Sequence, residues 1–268
     1  MALPESNAIV AIESIEFFIT LLCQDTDFTD RYKFAADDTY PSSEKLYDWE
    51  LGYQYTAPRL SLGVNLYYMK YKDQLVPTGM VNDDSNALNT NVPDSYRRGV
   101  ELSASWRATG WFTVGANATF SQNRIENYVD ALKDSPTYGK ELGDMTIAYS
   151  PDVIANAFLN FHHRGFEAVF HTQHVGKQYF TNNENDALSL DAYCVTNLNL
   201  AYTFRTRSAR SVRLGLLINN LFNAEYESNG YGYSYMDTWS GPAPVRIDEA
   251  YYFPQAPLNV LANVTVKF

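Results

Sequence analysis

Apolar and polar residues alternate one for one along most of this chain. The pattern is plainest in its last eleven residues, where Leu258, Val260, Ala262, Val264, Val266 and Phe268 share one parity and Asn259, Leu261, Asn263, Thr265 and Lys267 the other. Period two is the mark of a strand with one apolar and one polar face. The run is long enough to cross a bilayer at a tilt. It ends on an apolar edge, which a soluble sheet normally hides.

The same alternation recurs upstream. Trp49, Leu51, Tyr53 and Tyr55 precede a short break at Thr56 to Arg59, and Leu60, Leu62, Val64, Leu66 and Tyr68 follow it. Two such runs joined by so few residues predict a hairpin. Val100 to Trp106 pairs in the same way with Phe112 to Phe120, Val153 to Phe161 with Phe166 to Phe170, and Leu198 to Phe204 with Val212 to Ile218. With the final run this makes about nine strands. Between the hairpins lie long polar stretches, about 72–95, 121–151, 176–191 and 222–257. Strict alternation of short turns with long loops is the sidedness of a bacterial outer-membrane barrel. The face opposite the apolar one carries Ser, Thr, Asn, Gly, Gln and Glu, which suits a wet or plugged lumen. Tyr53, Tyr55, Trp106 and Trp111 near the short turns, and Tyr67, Tyr68 and Tyr71 near a long loop, fit two interfacial aromatic girdles.

Residues 1–43 differ from the rest. Ile9, Ile12, Ile15 and Ile19 fit a short helix after Pro4, and Asp25 to Ser43 is polar and turn-rich. The N-terminus has no basic region and carries Glu5, Glu13 and Glu16, so it makes a poor signal peptide. The predicted division is therefore an atypical N-terminal segment over 1–43 and a barrel portion over 44–268. With outer loops on the long side, nine strands begin at the outer surface, whereas bacterial barrels close with an even number. The odd count and the missing export signal together predict the C-terminal part of a longer protein.

Composition adds exclusions. The chain has 268 residues, 21 Tyr, 15 Phe, 4 Trp and a net charge of −11. No basic stripe is present to neutralise phosphates, which excludes nucleic acid as a partner. Asp83-Asp84 and Glu184 with Asp186 read as solvated loops. Two cysteines, Cys23 and Cys194, define neither a metal site nor a disulfide framework.

Four segments carry a family resemblance. Glu44-Lys45-Leu46-Tyr47-Asp48-Trp49-Glu50-Leu51-Gly52-Tyr53 resembles the opening of a mid-barrel strand in TonB-dependent receptors. Arg98-Gly99-Val100-Glu101-Leu102 resembles their R-G-x-E strand, and Ile218 to Tyr226 resembles the V-x-N-L-F-(D/N)-x-x-Y segment of the penultimate strand. The terminal strand ending in Phe268 matches as well. The resemblance implies an all-β fold, an antiparallel transmembrane β-barrel of about 22 strands holding a plug, of which this chain supplies a part. It implies residence in the outer membrane of a Gram-negative bacterium. The implied activity is TonB-dependent uptake of a scarce ligand, an iron–siderophore complex first, cobalamin or a glycan next. Implied partners are outer-membrane lipid, the small-molecule ligand, the barrel-assembly machinery acting on Phe268, and TonB through a plug that these residues do not contain. Without that plug, gated transport is not expected of the chain alone.

No enzyme is expected. His162 and His163 flank a turn, and His171 and His174 point to opposite faces of a strand. Neither H-E-x-x-H nor G-x-S-x-G nor a phosphate loop occurs. No catalytic residue, metal or cofactor is predicted. The Asn182 to Asp186 run lacks EF-hand spacing and reads as a solvated loop. The ligand-binding residues predicted are Tyr226, Tyr231, Tyr233, Tyr235 and Trp239, because aromatics on an outer loop offer stacking area and hydroxyl donors. A structural or adhesive outer-membrane β-protein is the alternative, and a soluble all-β module is the third reading.

Overall fold

The computed structural model describes residues 11–24, 42–81 and 87–268. Most of Asp25 to Ser43, and the Asp83-Asp84 pair, lie outside the described residues. The strands are β1 (Ala11–Gln24), β2 (Glu44–Ala57), β3 (Leu60–Val81), β4 (Ala87–Arg107), β5 (Phe112–Ile125), β6 (Met145–Thr146), β7 (Val153–His163), β8 (Phe166–Val175), β9 (Gln178–Tyr179), β10 (Ser189–Leu190), β11 (Tyr193–Phe204), β12 (Ser211–Asn219), β13 (Glu227–Asp237), β14 (Val245–Pro254) and β15 (Asn259–Lys267). A short 3-10 helix spans Asp186–Leu188.

One antiparallel meander runs β1-β2-β3-β4-β5-β7-β8-β11-β12-β15, with β6 added on β5. The nine strands read from alternation are all present. A tenth, β1, precedes them where a helix was expected, and it pairs with β2 from Ala11↔Thr56 to Gln24↔Glu44. The sequence there is crowded with β-branched and aromatic residues, which fit a pleated surface better than a helix.

The register shows why this sheet curves. Following cross-strand partners gives one unbroken row: Leu60, Trp106, Val114, Leu159, Phe170, Leu198, Ile218, Val260. The row starts at the first residue of β3, beside a short turn. It ends at the second residue of β15, beside the longest excursion. Such a steady stagger is the shear that tilts strands in a barrel. The sheet is open, with β1 and β15 at its two edges.

The two faces keep the chemistry read from the sequence. The row Gln54, Gly63, Ser103, Asn117, Asn156, Gln173 is polar throughout. The other face exposes Leu51, Leu62, Leu66, Leu102, Trp106, Phe120, Leu214, Val260 and Val264, a belt suited to hydrocarbon. At its long-loop margin Tyr47, Trp49, Tyr68 and Tyr96 form a ring ladder at centroid spacings of 6.3, 5.6 and 6.3 Å. At the short-turn margin Phe112 lies 4.5 Å from Phe161, which also meets Trp111. Tyr67 and Tyr71 do not join the girdle with Tyr68. Their odd parity turns them to the polar face, opposite Glu50 and Leu46 respectively.

The buried clusters lie at and beyond the long-loop end of the sheet. Within the stretch 72–95, read as a loop, residues 72–81 and 87–95 continue the β3–β4 ladder through Lys72↔Asp94, Gln74↔Val92 and Pro77↔Asn89. These two strands of 22 and 21 residues far exceed the roughly 9–11 that a membrane needs. Val76 and Val92 from this extension pack with Ile125, Tyr128 and Ile147. A second cluster joins Phe180, Leu188 and Leu190, with Ala250 against it. The other predicted loops likewise contain β6, β9, β10 and the β13–β14 hairpin. Together they form a folded cap.

Polar residues stitch that cap together. The Asn182 to Asp186 run, read as a solvated loop, is exposed only at Asp186 and is otherwise built into the cap. Asn182 is fully buried, donates to Pro77 O at 2.6 Å and accepts from Ala148 N at 2.7 Å. Glu184 accepts from Thr146 N at 3.0 Å and is bonded to Arg124 and to the Thr146 hydroxyl. Burial opposes its charge, but the Thr146 and Arg124 contacts outweigh it and hold the carboxyl below its usual range. Burial beside Asp130 pushes the Tyr128 hydroxyl up to about 12.

Candidate functional site

The Gly230-Tyr231-Gly232-Tyr233-Ser234-Tyr235 stretch is itself strictly alternating. It forms β13, paired with β14 through Tyr231↔Tyr251, Tyr233↔Glu249 and Tyr235↔Ile247. Period two therefore sorts the hairpin into two faces with separate tasks.

The inner face is Gly230, Gly232 and Ser234. A Cβ at Gly230 would lie 2.7 Å from the Phe180 ring and 2.7 Å from Tyr251 O. One at Gly232 would lie 2.9 Å from Phe180, Leu188 and Glu249 O alike. Glycine lets the hairpin settle on the fully buried Phe180 and Leu188. Tyr252 adds a ring contact to Phe180 at 5.8 Å. Ser234 donates to Asp248 at 2.6 Å, and Arg246 bonds both.

The outer face is aromatic and acidic. Tyr231 stacks on Tyr251 at 5.0 Å with 14° between planes, and it meets Phe253 at 6.1 Å. Tyr233 contacts both Tyr251 and Tyr235 at 6.4 Å. Three hydroxyls converge on one carboxylate. Tyr233 and Tyr251 donate to Glu249 Oε2 at 2.7 and 2.9 Å, and Tyr235 donates to Oε1 at 3.1 Å. Those bonds favour the charged form and lower the Glu249 carboxyl. The same bonds raise the Tyr233, Tyr235 and Tyr251 hydroxyls. The result is a negatively charged aromatic plate, with Tyr231, Tyr251 and Phe253 nearly half exposed.

Of the predicted binding residues, Tyr231, Tyr233 and Tyr235 come together on this plate. Trp239 stands at the hairpin tip, 93% exposed. Its turn is fixed by Asp237, which accepts from the Trp239 and Ser240 amides at 2.9 and 3.1 Å. Tyr226 is apart, stacked on Tyr193 at 4.7 Å at the base of the hairpin. Sequence reading missed Glu249, Tyr251 and Phe253. Their strand shows no clean alternation, since Tyr251, Tyr252 and Phe253 are consecutive. Phe268 lies exposed at the short-turn end, past β15.

Beneath the cap the polar face forms a track. A groove of about 540 Å³ is lined by Glu50, Gln54, Asn65, Glu101, Ser103 and Asn117. Asn65 bridges its carboxylates, donating to Glu50 at 3.0 Å and Glu101 at 3.3 Å. A second space of about 350 Å³ shares Glu50, Asn65 and Glu101 and reaches Arg97, Tyr149 and Ser150. His162 and His163 are exposed at the β7–β8 turn. His171 and His174 pair with Phe158 and Ala155 on opposite faces. No group of three metal-ligating side chains occurs among the described residues.

An open, sheared meander with a lipid-suited face, a polar concave face and a folded outer cap defines a segment of a transmembrane β-barrel. The family model for the β-barrel of TonB-dependent receptor-like proteins matches residues 27–221, and the chain belongs to this family. Its members are outer-membrane transport receptors of Gram-negative bacteria, not enzymes. Solved structures agree in fold. The ferric yersiniabactin uptake receptor FyuA from Yersinia pestis is 20% identical over 84% of this chain, with a TM-score of 0.59. The copper transporter OprC is 18% identical over 92%, with a TM-score of 0.63. BauA, the ferric preacinetobactin receptor from Acinetobacter baumannii, is 14% identical over 94%, with a TM-score of 0.60. The chain spans 30%, 36% and 33% of these three proteins.

Proposed function

We propose that this chain forms the C-terminal barrel wall and outer cap of an outer-membrane receptor for TonB-dependent uptake, and that an iron–siderophore complex is its ligand class. The observation that carries the reading is the β13–β14 hairpin, with Tyr231, Tyr233 and Tyr235 on its outer face and Trp239 exposed at its tip. Flat aromatic or chelated ligands gain stacking area there, and Tyr226 holds the base of the hairpin. Residues 44–268 supply this wall, and residues 1–43 stand apart in composition. TonB acts through a plug, to which this wall presents its polar face. Phe268 serves as the end recognised by the barrel-assembly machinery.

The test is quenching of intrinsic fluorescence by a ferric catecholate, with the chain folded in detergent. Saturable quenching is expected, and a Tyr231→Ala/Trp239→Ala double variant lowers affinity by about tenfold or more, as loss of two aromatic anchors does elsewhere. Equal affinity in the double variant overturns the assignment of the plate. Absence of saturable quenching by the wild type overturns the ligand class.

A further inference from the structure

The charge of this protein is segregated. It carries a net −11, and the cap holds Asp130, Glu184, Asp186, Asp237, Asp248 and Glu249. The short-turn end is the reverse. Arg59, Arg107, Arg164, Arg205, Arg207, Arg210 and Lys267 lie there, and all are exposed. Among the described residues none of these seven makes an ion pair. The nearby acid Glu167 is already held by Arg213 through two bonds of 2.8 Å.

Three of the arginines are organised. The β7–β8 and β11–β12 turns and the end of β15 are neighbours in the sheet. They enclose a concavity of about 710 Å³ lined by Arg164, Arg205, Arg210, Lys267, Phe204 and Phe268, with Gly165, Thr203 and Ser211 completing the wall and no Asp or Glu side chain in it. A carboxylate at Phe268 would offset one of the four cations and leave three. Both turns are held by hydrogen bonds. Arg164 and Gly165 have φ of 49° and 86°, which two-residue hairpin turns of type I′ require, and Thr203 N donates to Gly165 O at 2.8 Å. In the other turn Ala209 N donates to the Thr206 hydroxyl at 3.0 Å. Phe204 stacks beside Tyr202 at 5.9 Å, and Phe204 and Phe268 share the parity of the lipid-suited face.

We infer that this concavity binds the phosphate headgroup of an anionic phospholipid from the leaflet that borders the short turns. Guanidinium groups match phosphate oxygens as paired donors. The adjacent Phe204 and Phe268 continue the site onto the apolar face, where the acyl chains lie. A free phosphate would use the first feature and not the second. The inference rests on the membrane reading proposed above.

The test uses the full chain inserted into phosphatidylcholine vesicles with and without phosphatidylglycerol, followed by detergent extraction and mass measurement of retained lipid. Phosphatidylglycerol is expected to be retained in preference to phosphatidylcholine. An Arg164→Gln/Arg205→Gln/Arg210→Gln variant is expected to lower retention on the order of 100-fold, since each basic residue at an anionic surface contributes roughly fivefold. The matched Lys triple variant, which keeps the charge and loses the paired donors, is expected to retain more than the Gln triple and less than the wild type, and Arg59→Gln/Arg107→Gln, outside the concavity, changes it little. Insertion without lipid preference overturns the lipid site and leaves the membrane reading standing. Failure to enter either vesicle overturns both. Competition by inorganic phosphate as strong as by the lipid assigns a soluble-anion site and overturns the lipid. If the Gln triple does not insert, the three single variants are compared, and unchanged retention in all of them overturns the site.

Discussion

Gly232→Ala tests whether the aromatic plate is held in place from beneath. The added methyl would lie 2.9 Å from three atoms: a Phe180 ring carbon, a Leu188 methyl and Glu249 O. None can easily withdraw. Phe180 and Leu188 are 1% and 0% exposed, and the carbonyl belongs to the paired strand. Overpacking of this kind costs ~1–3 kcal/mol. Relief of glycine's entropy in a strand returns about 0.5–1 kcal/mol, so the net loss is about 1–2 kcal/mol. Amides of Tyr231 to Ser234 should then exchange with solvent roughly 5- to 30-fold faster by local opening, while β4 and β5 amides keep their rates. Gly241→Ala is the control, because its methyl would meet nothing nearer than 3.9 Å. Unchanged exchange in Gly232→Ala, or equal acceleration in β4 and β5, refutes local seating of the hairpin.

Three further outcomes follow from the cap. The Glu249 carboxyl is depressed by its tyrosine donors, so its contribution to hairpin order is present above the ordinary carboxylate range and lost as pH falls through its lowered value. The Tyr233 hydroxyl is raised by the same bond, so its contribution is full below about pH 10 and lost as pH climbs past its folded value. Tyrosinate absorbance should show late ionisation that Glu249→Gln returns toward normal, and a normal titration in the wild type refutes the cluster. Asn182→Ala removes the bonds to Pro77 O and from Ala148 N at a buried site, and a buried amide left unpaired costs about 1–3 kcal/mol. The substitution should loosen the β3–β4 extension from the cap, seen as faster exchange at Ala148. Trp239→Ala should leave unfolding unchanged, because the ring is 93% exposed, while weakening ferric catecholate capture.

The sheet was legible because a lipid-facing strand must alternate, and Leu60 to Leu66 and Ala262 to Phe268 do so throughout. β1 was not, because Ile15 to Leu22 shows no clean alternation. The cap was hidden for a different reason. Its order comes from contacts far apart in sequence, such as Asn182 with Pro77 across 105 residues, which leave no local period. Of the site, the tyrosines were legible but their strand was not: Gly230 to Tyr235 alternates as a strand with one flat and one aromatic face, yet the stretch reads as loop because Tyr251 to Phe253 on the partner strand do not alternate. Glu249 was not legible either, since nothing local marks an acid that three tyrosines on two strands will share.

The sheet is a pure meander, in which each strand of the path pairs only with its neighbours in order and every excursion leaves and re-enters between adjacent strands. A hairpin can therefore be lengthened, exchanged or duplicated without disturbing any ladder but its own. Wall and rim are separable units of inheritance. The wall must keep parity and shear, whereas the β13–β14 excursion is seated mainly on the patch of Phe180, Leu188 and Leu190 beneath it. Recombination at the strand ends flanking Phe222 to Pro257 would thus replace the hairpin and leave the ladders of the wall unchanged.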